Sequence, residues 1–159
     1  MTDTRSDTSG VRIFPPAIYL AGLAVGFLLF WLWPVHLAPP GAVLALRVAG
    51  GLLIAIGLAL PLWAAATFRG VGTTPNPTRP TTALAFGGPY RFTRNPMYLG
   101  LALLSAGIAL VANALWPLLA LAFVLWIVRR IVIDREERYL GAKFGEEYLR
   151  YKTRVRRWV

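Results

Sequence analysis

The sequence contains no cysteine, which excludes disulfides, thiolate nucleophiles and thiolate metal sites. Histidine occurs once, at His36, and one histidine without a second cluster of ligand residues cannot build a metal site. We therefore expect no bound metal. Acidic residues are also scarce, with seven Asp and Glu against 17 Lys and Arg, so the formal net charge is +10.

Hydrophobic residues, by contrast, are abundant. They make up 57% of the 159 residues, while charged residues make up only 15%, which is too apolar for a soluble domain of this size. One helical crossing of a bilayer needs about 20 residues. The hydrophobic runs predict transmembrane helices at about 15–34, 41–66, 96–113 and 115–133. The expected fold is an all-α integral membrane bundle of four transmembrane helices with an amphipathic cytosolic C-terminal helix.

The basic residues alternate between the connections. Arg5 and Arg12 precede the first span, four arginines lie between the second and third spans, and ten basic residues follow from Arg129 onwards. The connections near His36 and Asn113 carry none. By the positive-inside rule, both termini and the central loop are cytosolic, in a multi-pass protein of the cytoplasmic membrane. This distribution also argues against nucleic acid as the partner.

Outside the spans, three regions are distinct. Residues 1–12 are polar and are expected to form a disordered cytosolic tail, ahead of a single membrane domain at 13–159. Residues 67–95 form a long loop whose prolines favour an extended conformation. Residues 134–152 are expected to continue the fourth span without a break as an amphipathic helix.

That C-terminal helix has an apolar stripe formed by Leu140, Phe144, Tyr148 and Tyr151. Glu137 projects from the same stripe, so its carboxylate needs a partner. Aromatic residues near a membrane surface often anchor at the interface, and we expect this role for Tyr90, Tyr148 and Trp158.

Small residues predict helix contacts. Gly22 and Gly26 form a Gly-x-x-x-Gly pair, and Gly100 and Gly107 give the third helix a surface for close packing, which we expect to face the fourth helix. Asn95 before Pro96 is typical of a helix start, with asparagine capping the free amides.

Two interpretations of the acidic pair Glu136 and Glu137 remain open. In the first, both carboxylates pair with nearby arginines, Arg94 among them, and only attach the C-terminal helix to the bundle. In the second, they bind cationic or hydroxyl groups of a soluble cofactor, while arginine orients an anionic group on a lipid-borne substrate. Spacing alone does not choose between them.

Two blocks of the sequence resemble a known family. The segment from Gly88 to Gly100, GPYRFTRNPMYLG, is followed by Glu136-Glu137-Arg138-Tyr139-Leu140 and by Phe144-Gly145-x-x-Tyr148-x-x-Tyr151. Together they resemble the signature of the isoprenylcysteine carboxyl methyltransferase and phospholipid methyltransferase superfamily of integral membrane enzymes, over roughly the C-terminal half of the chain.

The resemblance implies methyl transfer from S-adenosylmethionine to a small lipophilic or lipid-borne acceptor at the cytosolic membrane face. The family's Arg-His-Pro-x-Tyr motif falls on residues 94–98. Asn95 replaces its histidine and cannot take up a proton near neutral pH, so a positioning role is expected there. The implied catalytic residues are Arg94, Glu137 and Tyr98. The implied cofactor-binding residues are Asn95, Pro96, Tyr98, Gly100, Glu136, Glu137 and Tyr139.

On this interpretation, the C-terminal helix closes over a cofactor cavity between the third and fourth spans. Two other functions remain open: a non-catalytic membrane binding or assembly protein, and a nicotinamide-dependent membrane reductase, since one bundle can host different chemistries.

Overall fold

The computed structural model describes residues 14–70, 72 and 83–158. The predicted disordered tail and the central part of the 67–95 loop lie outside the described residues. Within them the chain folds into helices without a strand, which confirms the all-α prediction.

Six helices make up the described chain. They are α1 (Pro15–Leu32), α2 (Val43–Gly70), α3 (Pro96–Val111), α4 (Leu115–Ile127), α5 (Asp134–Phe144) and α6 (Glu146–Arg154). Short 3₁₀ turns precede α2 and α3, at Pro40–Ala42 and Gly88–Arg91, and a π-helical segment, Val128–Ile133, joins α4 to α5.

Several of these helices are suited to a membrane. In the described chain, three helical stretches are long and apolar enough to cross one: Pro15–Leu32, Pro40–Gly70 and Leu115–Phe144. Helix α3 is apolar but has only 16 residues, or about 24 Å at 1.5 Å per residue, against a hydrocarbon core of about 30 Å. The bundle is therefore that of a multi-pass membrane protein, and the count of four spans stays a prediction.

Helices α2 and α3 pack through glycines. A Cβ atom added to Gly50 would lie 2.7 Å from the carbonyl oxygen of Gly107, and one added to Gly57 would lie 2.8 Å from that of Gly100. The prediction that the glycine face of α3 meets the fourth helix is therefore wrong. The reason is that α2 presents its own glycines at the same seven-residue spacing, so the two backbones approach closely along their length.

The Gly-x-x-x-Gly pair of α1 packs against α4. A Cβ atom on Gly22 would collide with Val124, and one on Gly26 would lie 2.5 Å from the Cα atom of Pro117. These contacts confirm that the pair allows close helix packing.

The loops at one end of the bundle are held together by Asn113, which has a positive φ of 53°. Its side-chain Oδ1 accepts hydrogen bonds from the amides of Leu37 (3.0 Å) and Ala38 (2.9 Å), and its Nδ2 donates to the carbonyl of Ala38 (3.0 Å). Trp116 Nε1 donates to the carbonyl of Trp33 at 2.7 Å. This end carries no charged residue between 33 and 42, and Arg47 follows near the start of α2.

The C-terminal helix is broken, and the prediction of a continuous helix over 134–152 is wrong. Gly145 separates α5 from α6 with φ 54° and ψ −129°, a conformation that residues with a Cβ atom rarely adopt. The predicted apolar stripe is thus divided between two helices, and Tyr148 of α6 is buried.

The expectation of interfacial anchoring is wrong for Tyr90 and Tyr148, which are buried within the protein, and it stays a prediction for the half-buried Trp158. Tyr90 is buried against Ala64 and Ala85, and Tyr148 is 3% exposed. Trp158 packs against the main apolar cluster of the bundle. The reason is that the C-terminal segments fold back onto the bundle.

Candidate functional site

The segment before α3 is bound to the end of the chain. Residues Val155–Trp158, named here the C-terminal strap, begin in an extended conformation at Val155 with φ −119° and ψ 130°. The Arg94 amide donates to the carbonyl of Arg156 at 3.0 Å, and Thr93 Oγ1 donates to the carbonyl of Arg157 at 3.1 Å. The strap therefore runs along the start of the predicted motif.

Asn95 belongs to this contact. Its Nδ2 donates to the carbonyl of Arg157 at 3.0 Å, and its own amide donates to Thr93 Oγ1 at 3.2 Å. The Asn95 side chain makes no capping hydrogen bond to α3, so the capping prediction is wrong. The side-chain amide is used for the strap because the partly buried carbonyl of Arg157 lies beside it and needs a donor.

Glu137 is the centre of an ion cluster. It is only 8% exposed, and Arg157 binds both of its oxygens, with Nε 3.0 Å from Oε1 and Nη2 2.8 Å from Oε2. Arg94 Nη1 lies 3.1 Å from Oε1 and Lys152 Nζ lies 3.5 Å from Oε2. Arg157 also reaches Asp134, with Nη1 3.1 Å from Oδ1. The sequence predicted that the Glu137 carboxylate has a partner, and this partner is chiefly Arg157.

These contacts determine the charge of Glu137. Burial acts to raise its pKa, but the hydrogen bonds from Arg157 and the charges of Arg94, Arg157 and Lys152 together lower the pKa. The hydrogen bonds to Glu137 in turn raise the pKa of Arg157. Glu137 is therefore a stable carboxylate whose hydrogen-bonding capacity is largely used within the protein.

Arg94 is less completely bonded. Its side chain is 10% exposed, yet Nε and Nη1 have no hydrogen-bond partner within the described chain, although Nη1 contacts Glu137 as an ion pair. Tyr148 lies close by: burial, and then the charge of Glu137, raise the pKa of Tyr148 to about 12, while the charge of Arg94 and a hydrogen bond between the two side chains act to lower it. A buried guanidinium with unbonded donors has the capacity to bind an anionic ligand.

Glu136 occupies a different environment. Tyr98 donates a hydrogen bond from its hydroxyl to Glu136 Oε1 at 2.7 Å, and Tyr19 of α1 donates to the Tyr98 carbonyl at 3.1 Å. Burial raises the pKa of Glu136 to about 7, although the hydrogen bond from Tyr98 acts to lower it. No basic side chain pairs with Glu136 among the described residues, so its negative charge is uncompensated there.

The structure thus brings six predicted residues, Arg94, Asn95, Pro96, Tyr98, Glu136 and Glu137, to the start of α3 and α5. Pro96 is fully buried. Gly100 lies at the α2–α3 contact, where an added Cβ would lie 2.5 Å from Pro61 Cδ. The Tyr139 hydroxyl accepts a hydrogen bond from Lys143 Nζ at 3.1 Å, on an exposed part of α5.

In the described chain no group of three or more His, Asp and Glu side chains could hold a metal ion.

Sequence reasoning missed Arg157 and Tyr19. Arg157 is one of eight basic residues after the predicted fourth span, and their distribution indicates only which side of the membrane they occupy. Tyr19 lies in an otherwise apolar helix, where its hydroxyl was the one signal of a polar contact. Its partner is 79 positions away, so no local pattern identifies the pair.

Comparisons with known proteins give two matches. A stretch of 64 residues, 40% of this chain, is 45% identical to an uncharacterized protein of Haemophilus influenzae over that protein's whole length. No solved structure matches the chain. A family profile described as phospholipid methyltransferase matches residues 46–147, which include α3, α5 and both glutamates. The chain belongs to the phospholipid methyltransferase family.

Proposed function

We propose that this protein transfers a methyl group from S-adenosylmethionine to a small lipophilic or lipid-borne acceptor at the cytosolic membrane face. Besides family membership, one observation in the structure supports the proposal. Arg94 and Glu136, two incompletely bonded groups of opposite charge, lie at the starts of α3 and α5, at the charged end of a membrane bundle.

These residues fit the proposed cofactor. The amino-acid part of S-adenosylmethionine carries a carboxylate and an ammonium group, and its ribose carries hydroxyls. The Arg94 guanidinium, whose Nε and Nη1 have no hydrogen-bond partner in the described chain and whose Nη1 forms an ion pair with Glu137, suits the carboxylate. The Glu136 carboxylate suits the ammonium or the hydroxyls. When bound, the cofactor supplies a methyl group on a sulfonium, whose leaving group is a neutral thioether.

The two interpretations of the acidic pair then apply to different residues. Glu137 is saturated by Arg157, Arg94 and Lys152, and it attaches the C-terminal helices to the bundle. Glu136 has a hydrogen bond from Tyr98, which orients its carboxylate and leaves it able to accept further donors. We therefore assign cofactor binding to Glu136 and scaffolding to Glu137.

The remaining contribution of the chain is alignment and exclusion of water. A sulfonium leaves as a neutral thioether, so no acid is needed to protonate it, and orientation of the reacting groups can supply much of the rate. The acceptor class follows from the membrane setting. An amine-bearing phospholipid, an isoprenoid and a fatty or thiol-bearing small molecule all reach this end of the bundle from the lipid.

Cofactor binding tests the proposal directly. Purified protein in nanodiscs is titrated calorimetrically with S-adenosylmethionine and, separately, with NADPH. We expect saturable binding of S-adenosylmethionine alone, weakened about tenfold or more by Glu136→Gln, which removes the charge and keeps the shape. Glu147→Gln is the matched control, because Glu147 is an exposed acid on α6. Binding of NADPH alone would favour a reductase, and no binding of either would favour a non-catalytic protein.

A further inference from the structure

Arg157 lies outside the residues matched by the family, yet it joins the two parts of the site. Its carbonyl accepts hydrogen bonds from Thr93 and Asn95, on the segment before α3. Its guanidinium binds both oxygens of Glu137 on α5. One residue therefore sets the distance between these segments, through backbone contacts on one side and side-chain contacts on the other.

The hydrogen bonds that Glu137 accepts determine how many donors of the Arg94 guanidinium are left for another group. Because Arg157 binds both carboxylate oxygens, Arg94 retains an ion pair at 3.1 Å, and within the part of the chain that the structure describes its Nε and Nη1 have no hydrogen-bond partner. A carboxylate freed from Arg157 would turn to the nearest guanidinium, since paired Arg–carboxylate hydrogen bonds are strong and a buried unpaired charge is costly. That guanidinium belongs to Arg94.

We propose that Arg157 is a positioning residue, which occupies Glu137 and thereby keeps the Arg94 guanidinium available for an anionic group of a bound ligand. The anionic group is a carboxylate or a phosphate. It comes either from the cofactor or from a phospholipid headgroup. The inference deepens the proposed function and rests on it only where the anion is that of the cofactor.

The source of the anion is tested with three probes on protein in phosphatidylcholine nanodiscs. They are S-adenosylmethionine, its decarboxylated analogue, and short-chain phosphatidic acid. If the cofactor supplies the anion, Arg157→Ala weakens S-adenosylmethionine binding about tenfold or more and leaves the analogue unchanged. If the lipid supplies it, Arg157→Ala weakens phosphatidic acid binding instead. Unchanged affinity for both anionic probes would overturn the inference.

The matched control is Arg156→Ala, since Arg156 contributes a backbone carbonyl to the strap and its side chain is exposed. A protein that binds phosphatidic acid in an Arg157-dependent way but never S-adenosylmethionine would contradict the proposed function and support this inference.

A double substitution separates positioning from a purely structural role. If freed Glu137 captures Arg94, then adding Glu137→Gln to Arg157→Ala removes the competing charge and restores part of the lost affinity. A structural role predicts a further loss, which would contradict the inference. Should Arg157→Ala fail to fold, Arg157→Lys replaces it in the same comparison, because lysine keeps the charge but lacks the planar fork that binds both oxygens.

Discussion

At the scale of the residue, two adjacent glutamates have different surroundings because neighbours on a helix point about 100° apart. Glu137 faces the segment before α3, helix α6 and the C-terminal strap, each of which supplies one basic side chain. Glu136 faces Tyr98 and the bundle, where burial raises its pKa to about 7. The sequence motif identified the pair, but only the tertiary contacts distinguish its members.

Replacement of Glu136 should change how stability depends on pH. Its pKa is 4.5 in a model peptide and about 7 in the folded protein, so the folded state holds the proton more tightly. The favourable contribution of the protonated group is complete below about pH 4.5 and is lost as pH rises through about 7. Glu136→Gln should therefore be more stable than wild type at pH 8, by up to about 3 kcal/mol because each pKa unit corresponds to about 1.4 kcal/mol, and close to wild type at about pH 4.

Thermal unfolding of ligand-free protein at several pH values measures this difference. Glu147→Gln is the control and should show no pH-dependent gap from wild type, because Glu147 is exposed. A gap for Glu136→Gln that grows towards low pH would contradict the assignment.

The substitution Asn95→Asp, which changes the shape of the side chain little, tests whether Asn95 binds the C-terminal strap or caps α3. A capping asparagine tolerates Asp well, because both are favoured caps and a negative charge suits a helix start. The strap contact instead needs a donor towards the Arg157 carbonyl, which Asp cannot supply when ionised. Asn95→Asp should therefore cost about 1–3 kcal/mol of unfolding free energy and increase hydrogen exchange at the Arg94 amide. Stability equal to or above that of wild type would restore the capping interpretation.

At the scale of the element, small residues determine which helices pair. Helix α3 places Gly100 and Gly107 against Gly57 and Gly50 of α2, and each glycine leaves room for the opposing backbone. The spacing predicted a close contact but not its partner, since any helix with a matching small face would satisfy it. Gly145, likewise, gave no local signal strong enough to predict the break between α5 and α6.

Adjacent glycines of α2 give a matched pair of substitutions. Gly50→Ala places a methyl group 2.7 Å from the Gly107 carbonyl, so it should destabilise the bundle by about 1–3 kcal/mol. Gly51→Ala meets nothing within 4 Å and should be neutral or stabilising by up to about 1 kcal/mol. Unfolding of purified protein in mixed detergent, followed by tryptophan fluorescence, compares the two. Equal losses would show that the helices do not approach in this way.

At the scale of the whole molecule, most charged residues lie at one end of the bundle, with Arg47 of α2 an exception. The connections near His36 and Asn113 carry no basic residue, while α5, α6 and the strap are rich in them. The site lies at the charged end, so a soluble cofactor and a lipid-borne acceptor would meet there. The end of the central loop is hydrogen-bonded to the C-terminal strap, so both lie on one side of the membrane. The chain between them must therefore cross the membrane an even number of times.

The absence of cysteine makes this topology easy to measure. Single cysteines introduced at the exposed residues Arg91 and Arg150 should react with a membrane-impermeant maleimide only in inside-out vesicles. A cysteine replacing the exposed His36 should react only in intact cells. Labelling of Arg91→Cys and Arg150→Cys from opposite sides would refute the four-span prediction.

The sequence by itself determined the all-α membrane bundle, the positions of its apolar helices and the motif residues at the starts of α3 and α5. Hydropathy, charge placement and motif spacing are local properties, so they can be read along the chain. Only the tertiary structure decided that α3 pairs with α2, that Glu137 is bound by Arg157 and that Asn95 holds the strap. These contacts join residues 20 to 62 positions apart, and they depend on how the helices pack and where the chain returns.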